Sequence, residues 1–489
     1  MSVATDLRLN FDNSFVRDLP GMFLPWQAAP APAPELVLLN ESLAAELGLD
    51  LEALRSPAGV SVLAGNTAPD GAANVAQAYA GHQFGNYVPR LGDGRALLLG
   101  ELVDTAGRRC DLHFKGSGRT PYARGADGRA ALGPMLREYL IGEGMHALGI
   151  PTSRALAVVT TGQAVTRDTG SLPGAVLTRV AASHLRVGSF QYARAGADPV
   201  MLRALADYAI WRHYPEAAQA PNPYRALLSA VVGAQAALVA RWMAVGFVHG
   251  VMNTDNVTIS GETIDYGPCA FLDAFNPNAV FSSIDEMGRY AYRNQPPITL
   301  WNLTRFAESL LPLLDENNEA AVEIARGALD AFADEFEAQW LTLMYTKLGL
   351  PVPSGEPVLL NEFLALAAGT RADWTNSFRA LAALLREDTA PLAATFDDPA
   401  PVLEWAARWR SELPDPVAAA AAMGRVNPVY IPRNHLVEAA LAAADAGDLD
   451  PARALLEAIT RPFDERPGME AFASGAPDDF GPYRTFCGT

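Results

Sequence analysis

The sequence predicts an α+β fold in two lobes. A small antiparallel-sheet lobe carrying one helix comes first, then a large, mainly helical lobe, with an extension at each end. Three observations predict it. Residues 90–180 read as strand, strand, helix, strand, strand, a small sheet with one helix packed on it. From Asp198 onward the apolar spacing is helical almost throughout. One β-rich island, Phe247 to Ala270, interrupts that helical half. The expected divisions are an extension packing on the core over 1–89, a small lobe over 90–190, a large lobe over 191–415, and a helical extension with a tail over 416–489.

Taken in order, the elements have separate causes. Ala28 to Pro34 is a Pro/Ala stretch suited to an extended wrapping arm, and Glu41 to Leu47 reads as a short helix. Residues 61–94 are punctuated by glycine and read as loop, ending in Arg90-Leu91-Gly92-Asp93-Gly94-Arg95. Ala96 to Leu102 is an apolar run fit for a buried strand, and Cys110 to Lys115 alternates as a strand. A Gly/Arg-rich loop, Gly116 to Gly128, leads to helical spacing over Arg129 to Leu148, closed by Gly149 and Pro151. Ala155 to Thr160 and Ala175 to Val180 complete the sheet. Helices are then expected over 198–212, 224–245, 283–292, 298–314, 317–347, 358–368, 373–386, 398–411, 435–446 and 450–459, before an irregular tail rich in Pro, Gly and Phe.

Composition narrows the function. Half of the 489 residues are hydrophobic, which excludes disorder as a class. Against 55 carboxylates stand 37 cations, a net charge of −18. Bulk charge therefore draws the chain to neither nucleic acid nor an anionic membrane, and any phosphate site needs a few local cations. Only two of those cations, Lys115 and Lys347, are lysine; the other 35 are arginine. A lysine kept where arginine replaces nearly every other marks a place where a compact point charge is needed. Cys110, Cys269 and Cys487 form neither a disulfide framework nor a zinc spacing. Met1 to Asn10 lacks the apolar run of a secretory signal, and the apolar stretch between Arg225 and Arg241 is too short for a membrane span. A soluble, cytoplasmic protein is expected.

The chemistry-bearing residues follow a pattern. Lys115 closes an apolar strand, which places its amine at the sheet edge facing a cleft. On the following helix, Glu138 has Ala131, Pro134, Met135, Ile141, Gly142 and Met145 as face neighbours, all apolar. A carboxylate there is costly unless paired, and Lys115 is the nearest partner in this topology. The alternative is that Glu138 snorkels to water and Lys115 is solvated. In the island, Asn256 and Asp265 on facing hairpin arms offer hard oxygen donors for one Mg²⁺ or Mn²⁺, with phosphate oxygens filling other positions. Asp255, beside Asn256, is placed to take a proton from an attacking hydroxyl. An Asp-Asn pair alone is ordinary turn chemistry. The full series is Gly92 and Gly94, Lys115, Glu138, Asn256, then Asp265-Tyr266-Gly267, which is the order of a protein kinase. A kinase-like two-lobed fold is therefore expected. One part is missing: a kinase carries its catalytic Asp five residues before the metal Asn, where this chain has Val251 after His249-Gly250.

The stretches HGVMNTDN (His249 to Asn256), DYGPCA (Asp265 to Ala270), YAGHQFGN (Tyr79 to Asn86), FKGSG (Phe114 to Gly118) and RVAASHLRVGSF (Arg179 to Phe190) closely resemble the selenoprotein O family. The resemblance covers nearly the whole chain. It implies a pseudokinase-like protein adenylyltransferase that binds ATP in a flipped orientation and transfers AMP to Ser, Thr or Tyr hydroxyls of proteins, releasing pyrophosphate. Some members are described as uridylyltransferases using UTP and Mn²⁺. Carried over by position, the resemblance implies Asp255 as proton acceptor and Asn256 and Asp265 as ligands of Mg²⁺ or Mn²⁺. It implies nucleotide contacts at Gly92, Gly94, Arg95, Lys115, Asp127, Gly128, Arg179 and Arg186, with Glu138 supporting Lys115. Cys487 stands where some relatives carry selenocysteine, so a reversible Cys269–Cys487 disulfide is one reading and two ordinary thiols the other. Two further functions remain: a small-molecule kinase of the aminoglycoside type, favoured by His249-Gly250 and opposed by Val251, and a non-catalytic nucleotide-binding scaffold, opposed by the Asn256/Asp265 pair.

Overall fold

A seven-strand antiparallel path forms the sheet, in the order Phe23–Pro25, Val75–Gln77, Ala96–Val103, Arg109–Lys115, Gly170–Ala181, Arg154–Arg167, Glu35–Leu39. The computed structural model describes residues 9–168, 170–196 and 199–486. Alternation along the central strands sorts side chains onto two faces. Leu112, Phe114, Val176 and Val180 pack on one side with Leu43, Leu54 and Val60 from short N-terminal helices. Leu177, Ala155 and Val158 pack on the other against helix Leu132–Ala147.

The N-terminal region does more than lie on this sheet: it supplies three of its strands. The Pro/Ala arm crosses from one sheet edge to the other, with Ala29 N–H donating to Ser117 O at 2.8 Å and Ala33 N–H to Thr161 O at 3.2 Å. Residues 61–94 are not loop throughout. They hold the Val75–Gln77 strand and a separate hairpin, Gly81–Gln83 with Asn86–Val88. Its two turn residues, Phe84 and Gly85, both have positive φ, 51° and 87°. Strands of three residues are too short to show alternation in the sequence.

The helix bearing Glu138 begins at Leu132, because Ala130 and Ala131 first pair with Ala175 and Gly174. The C-terminal extension clamps it from outside. Val437, Leu441 and Leu455 of helices Asn434–Asp445 and Asp450–Ile459 pack on Leu132, Leu136 and Leu140. At about 1.5–3 kcal/mol for each such side chain buried, this clamp outweighs the helix's own propensity.

Helix Pro223–Val245 is long and apolar enough to cross a membrane, yet 61% of its apolar window is buried inside the protein. It packs with helices Gln295–Leu314 and Ala331–Lys347 as a core helix. Three local expectations are corrected. Residues 283–292 form turns, because the Asp285 carboxylate accepts from Arg289 N–H and Tyr290 N–H, and the helix starts only at Gln295. The stretch 317–347 is two helices, broken at Asp330. In the island only Phe247–Val248 and Ala270–Phe271 pair as strands, so Asn256 and Asp265 lie in the loop those strands close and not on hairpin arms. Thr258 and Thr263 bridge outward instead, to Arg186 and Thr152.

A buried polar network stiffens the sheet. The rings of His113 and His184 stack at 4.0 Å. His113 holds Asp93 at 3.1 Å, and His184 holds Asp111 at 3.0 Å. Burial, with His113 adding and Asp111 opposing, pushes His184 down to about 3. An unfolded histidine takes its proton near pH 6.5, so between about pH 6.5 and 3 the unfolded state binds the extra proton and stability falls as pH falls. The urea midpoint is expected to be lower at pH 5 than at pH 7, with about 2 kcal/mol of the difference removed in His184→Gln.

Candidate active site

Lys115 and Arg179 come from adjacent strands in a register that pairs Lys115 with Leu177 and His113 with Arg179. Both side chains therefore leave the same sheet face, toward the helix that carries Glu138. Lys115 Nζ lies 2.5 Å from Glu138 Oε2 and 2.8 Å from Asp265 Oδ1. Arg179 Nη2 lies 2.6 Å from Glu138 Oε1 and 2.7 Å from Asp265 Oδ1. Arg186 Nη1 is 3.8 Å from Asp265 Oδ2. Glu138 is 3% exposed and Lys115 5%, so the snorkelling alternative does not hold. Burial alone would raise both carboxyl pKa values. Arg179 and Lys115 outweigh it at Glu138, and Lys115, Arg179 and Arg186 hold Asp265 well below the usual carboxylate range. Asp265 also has φ of 62°, a conformation that costs a non-glycine residue about 1–3 kcal/mol and persists only where its surroundings impose it.

Asp255 and Asn256 sit in a 3-10 turn, Thr254–Asn256. Arg186 ties this turn to the cation cluster: its Nη1 donates to Asp255 O at 2.9 Å, and its guanidinium lies over the Tyr79 ring at 4.3 Å. Asn256 Nδ2 donates to Val251 O at 3.0 Å, which turns its amide oxygen away from Val251. Asp255 Oδ1 is buried without a hydrogen-bond partner. Burial pushes the Asp255 carboxyl up to about 6, with Arg186 opposing. Among the described residues no group of three or more His, Cys, Asp or Glu is arranged around a metal position.

The hairpin Gly81–Val88 closes over this turn and is the largest feature that residue-by-residue reading missed. His82 N–H donates to Thr254 Oγ1 at 2.7 Å and Phe84 N–H to Asn253 Oδ1 at 3.0 Å. A Cβ at Gly81 would stand 2.8 Å from Asp255 Oδ1, so any larger residue there would push on the Asp255 carboxylate. Thr254 Oγ1 donates in turn to Gln191, and Gln191 to His82 Nδ1. His249 bonds Ile264 O at 3.0 Å and is structural.

Gly92 and Gly94 face the Tyr122 loop. Gly92 has φ of 77°, and a Cβ there would run into the Tyr122 ring. Asp93 between them is held by His113 and by Gln77 N–H at 3.0 Å. Arg95 accepts at its carbonyl from Gly116 N–H at 2.8 Å, next to Lys115, and its Nη1 is buried without a partner. Asp127 instead pairs with Arg167 at 3.0 Å and lines a groove of about 660 Å³ with Trp26, Arg119 and Arg129. No hydrogen bond or ion pair among the described residues links Asp127 to the Lys115–Asp265 cluster. Gly128 turns the chain at φ of 69°, its carbonyl accepting from Gly118 N–H at 3.0 Å. Cys269 is buried and its thiol is pushed up to about 12 by burial, so it is unreactive in this state. Cys487 lies outside the described residues.

The sequence profile described as Protein adenylyltransferase SelO matches residues 5–460. The chain is similar to "Protein nucleotidyltransferase YdiU" of Mycolicibacterium smegmatis, 59% identical over 496 residues and covering 100% of both chains. It is similar in the same way to the proteins of that name from Pseudarthrobacter chlorophenolicus, at 60% over 100% of both chains, and from Cereibacter sphaeroides, at 57% over 99% of this chain and 100% of the relative. On these matches, together with a buried lysine–glutamate pair joined to an acidic loop, the chain belongs to the SelO family of nucleotidyltransferases.

Proposed function

We propose that the protein is an adenylyltransferase that moves AMP from ATP to Ser, Thr or Tyr hydroxyls of other proteins, on a kinase-like two-lobed frame. The observation that carries this reading is Asp265, held by Lys115, Arg179 and Arg186 beside an Asp255-Asn256 turn. Val251 occupies the place where a γ-phosphoryl kinase needs its base, and the free carboxylate oxygen lies four residues on, at Asp255.

Attack at the α-phosphorus requires that the hydroxyl lose a proton and that pyrophosphate leave with high negative charge. Asp255 is the proton acceptor: it is beside the site, unpartnered at Oδ1, and its basicity is raised by burial. Lys115, Arg179 and Arg186 form the anion cradle, and Arg95, with a buried unpartnered nitrogen next to the Lys115 strand, joins it. Gly92, Gly94, Asp127 and Gly128 are assigned to nucleotide contact from the family resemblance. The Asn256 amide oxygen and Asp265 Oδ2 would hold the divalent ion. Mg²⁺ or Mn²⁺ bound there supplies charge neutralisation at the phosphates, and both donors are the hard oxygens such ions prefer. A cytoplasmic location goes with this reading.

Asp255→Asn tests it. The variant keeps the shape and removes the proton acceptor, so pyrophosphate release in the presence of a protein acceptor is expected to fall about 10²–10⁴-fold with nucleotide affinity retained. Release at the parent rate would remove Asp255 from the mechanism.

A further inference from the structure

We infer that Arg289, stacked on Trp301 beside the hairpin tip, binds an acidic side chain of the protein acceptor; this rests on the protein-acceptor reading above. The Arg289 backbone is fixed close to the reacting loop. Asp285 accepts from Arg289 N–H at 2.9 Å and from Tyr290 N–H at 2.8 Å. The Tyr290 hydroxyl donates at 2.7 Å to Asn253 Oδ1, two residues before Asp255. The guanidinium carbon lies 4.8 Å from the Trp301 ring centre, and the Tyr290 ring is 5.7 Å away. A Cβ at Gly85 would stand 3.8 Å from it.

This cation is held but not neutralised. Among the described residues no carboxylate oxygen lies within 4.0 Å of it, and its Nε is buried without a hydrogen-bond partner. Asp285 uses both carboxylate oxygens on backbone N–H groups. Arg305, on the same tryptophan at 5.1 Å, is by contrast paired with Glu308 at 2.7 Å. Across the hairpin, Arg124 Nη1 reaches Gln83 Oε1 at 3.4 Å and likewise has no carboxylate partner among the described residues. In a chain with 55 carboxylates and 37 cations, unpaired arginines on both sides of one hairpin mark a local field that attracts anions. Stacking on an aromatic face orients a guanidinium without cancelling its charge, so little ordering remains to be done when a carboxylate arrives.

The hairpin also separates this cation from the nucleotide cations. Gly81 adjoins Asp255, and the tip at Gly85 adjoins Arg289. Four residues separate these two contacts and the last two form the turn, so the span is at most about 13 Å, no more than four residues of extended peptide. The acceptor's acidic residue should therefore stand three or four positions from the hydroxyl.

The test uses the full chain with a non-hydrolysable ATP analogue, Mg²⁺ and fluorescent twelve-residue peptides. Each peptide has one serine with paired Glu, Gln or Lys residues three and four positions away, and binding is read by anisotropy. The parent is expected to bind the Glu peptide about tenfold more tightly than the Gln peptide, Arg289→Ala to lose that difference, and Arg289→Glu to prefer the Lys peptide. Equal binding of Glu and Gln peptides by the parent overturns the inference without need of any variant. So does a preference kept in Arg289→Ala. Label transfer from α-labelled ATP to the same peptides is scored separately: a charge preference without transfer supports Arg289 and counts against the adenylyltransferase reading alone.

Discussion

Lys115→Arg is expected to lose transfer by on the order of 10²-fold or more, although it conserves charge in a chain where nearly every other cation is already arginine. Lys115 Nζ fits between Glu138 Oε2 at 2.5 Å and Asp265 Oδ1 at 2.8 Å, in a position only 5% exposed. Arg179 already presents a guanidinium to the same two carboxylates. A second planar fork cannot enter without displacing Arg179 or the helix that carries Glu138. Overpacking of that kind costs about 1–3 kcal/mol, too little to unfold a well-packed lobe but enough to misplace the cradle. The thermal midpoint should thus move modestly while the rate of nucleotidyl transfer collapses. A Lys115→Arg protein within a few-fold of the parent rate would show that the compact ammonium has no special task.

Asp265→Ala should have the larger combined effect. Lys115, Arg179 and Arg186 against Glu138 and Asp265 leave the cluster at 3 − 2 = +1; without Asp265 it stands at 3 − 1 = +2. Removing one member of a buried ion group costs about 3–5 kcal/mol, since the remaining charges lose their partner. Transfer should fall on the order of 10³-fold through loss of the proposed metal donor and of the orientation of the cations. The same arithmetic predicts a gain. With chelator present, pyrophosphate should raise the thermal midpoint of Asp265→Ala more than that of the parent, because a bound anion replaces the missing carboxylate. Equal shifts would mean that pyrophosphate does not bind at this cluster.

The parts of the site legible in the sequence are those that physical chemistry forces. Glu138 on an apolar helix face had to find a cation, and Lys115 at the end of the neighbouring strand was the nearest in this topology; the structure pairs them directly. What stayed hidden was set by tertiary contacts with no local signature. Arg179 shares both carboxylates with Lys115, yet nothing in its strand marks it among 35 arginines except the family resemblance. The hairpin Gly81–Val88 has strands of three residues, and its place depends on side chains 172 and 169 residues away. The expected helix over 283–292 fails because Asp285 caps its own loop, a competition between side chain and backbone that apolar spacing does not register. The strands drawn from residues 23–77 were hidden likewise, since strands of three to five residues carry little pattern.

The most direct measurement is a paired labelling experiment. The protein is incubated with a protein extract and Mg²⁺ or Mn²⁺, once with ATP labelled on the α-phosphate and once with ATP labelled on the γ-phosphate. Label on proteins from the α position only, lost in Asp255→Asn, is the predicted result. Label transferred from the γ position would contradict the account and return the site to kinase chemistry.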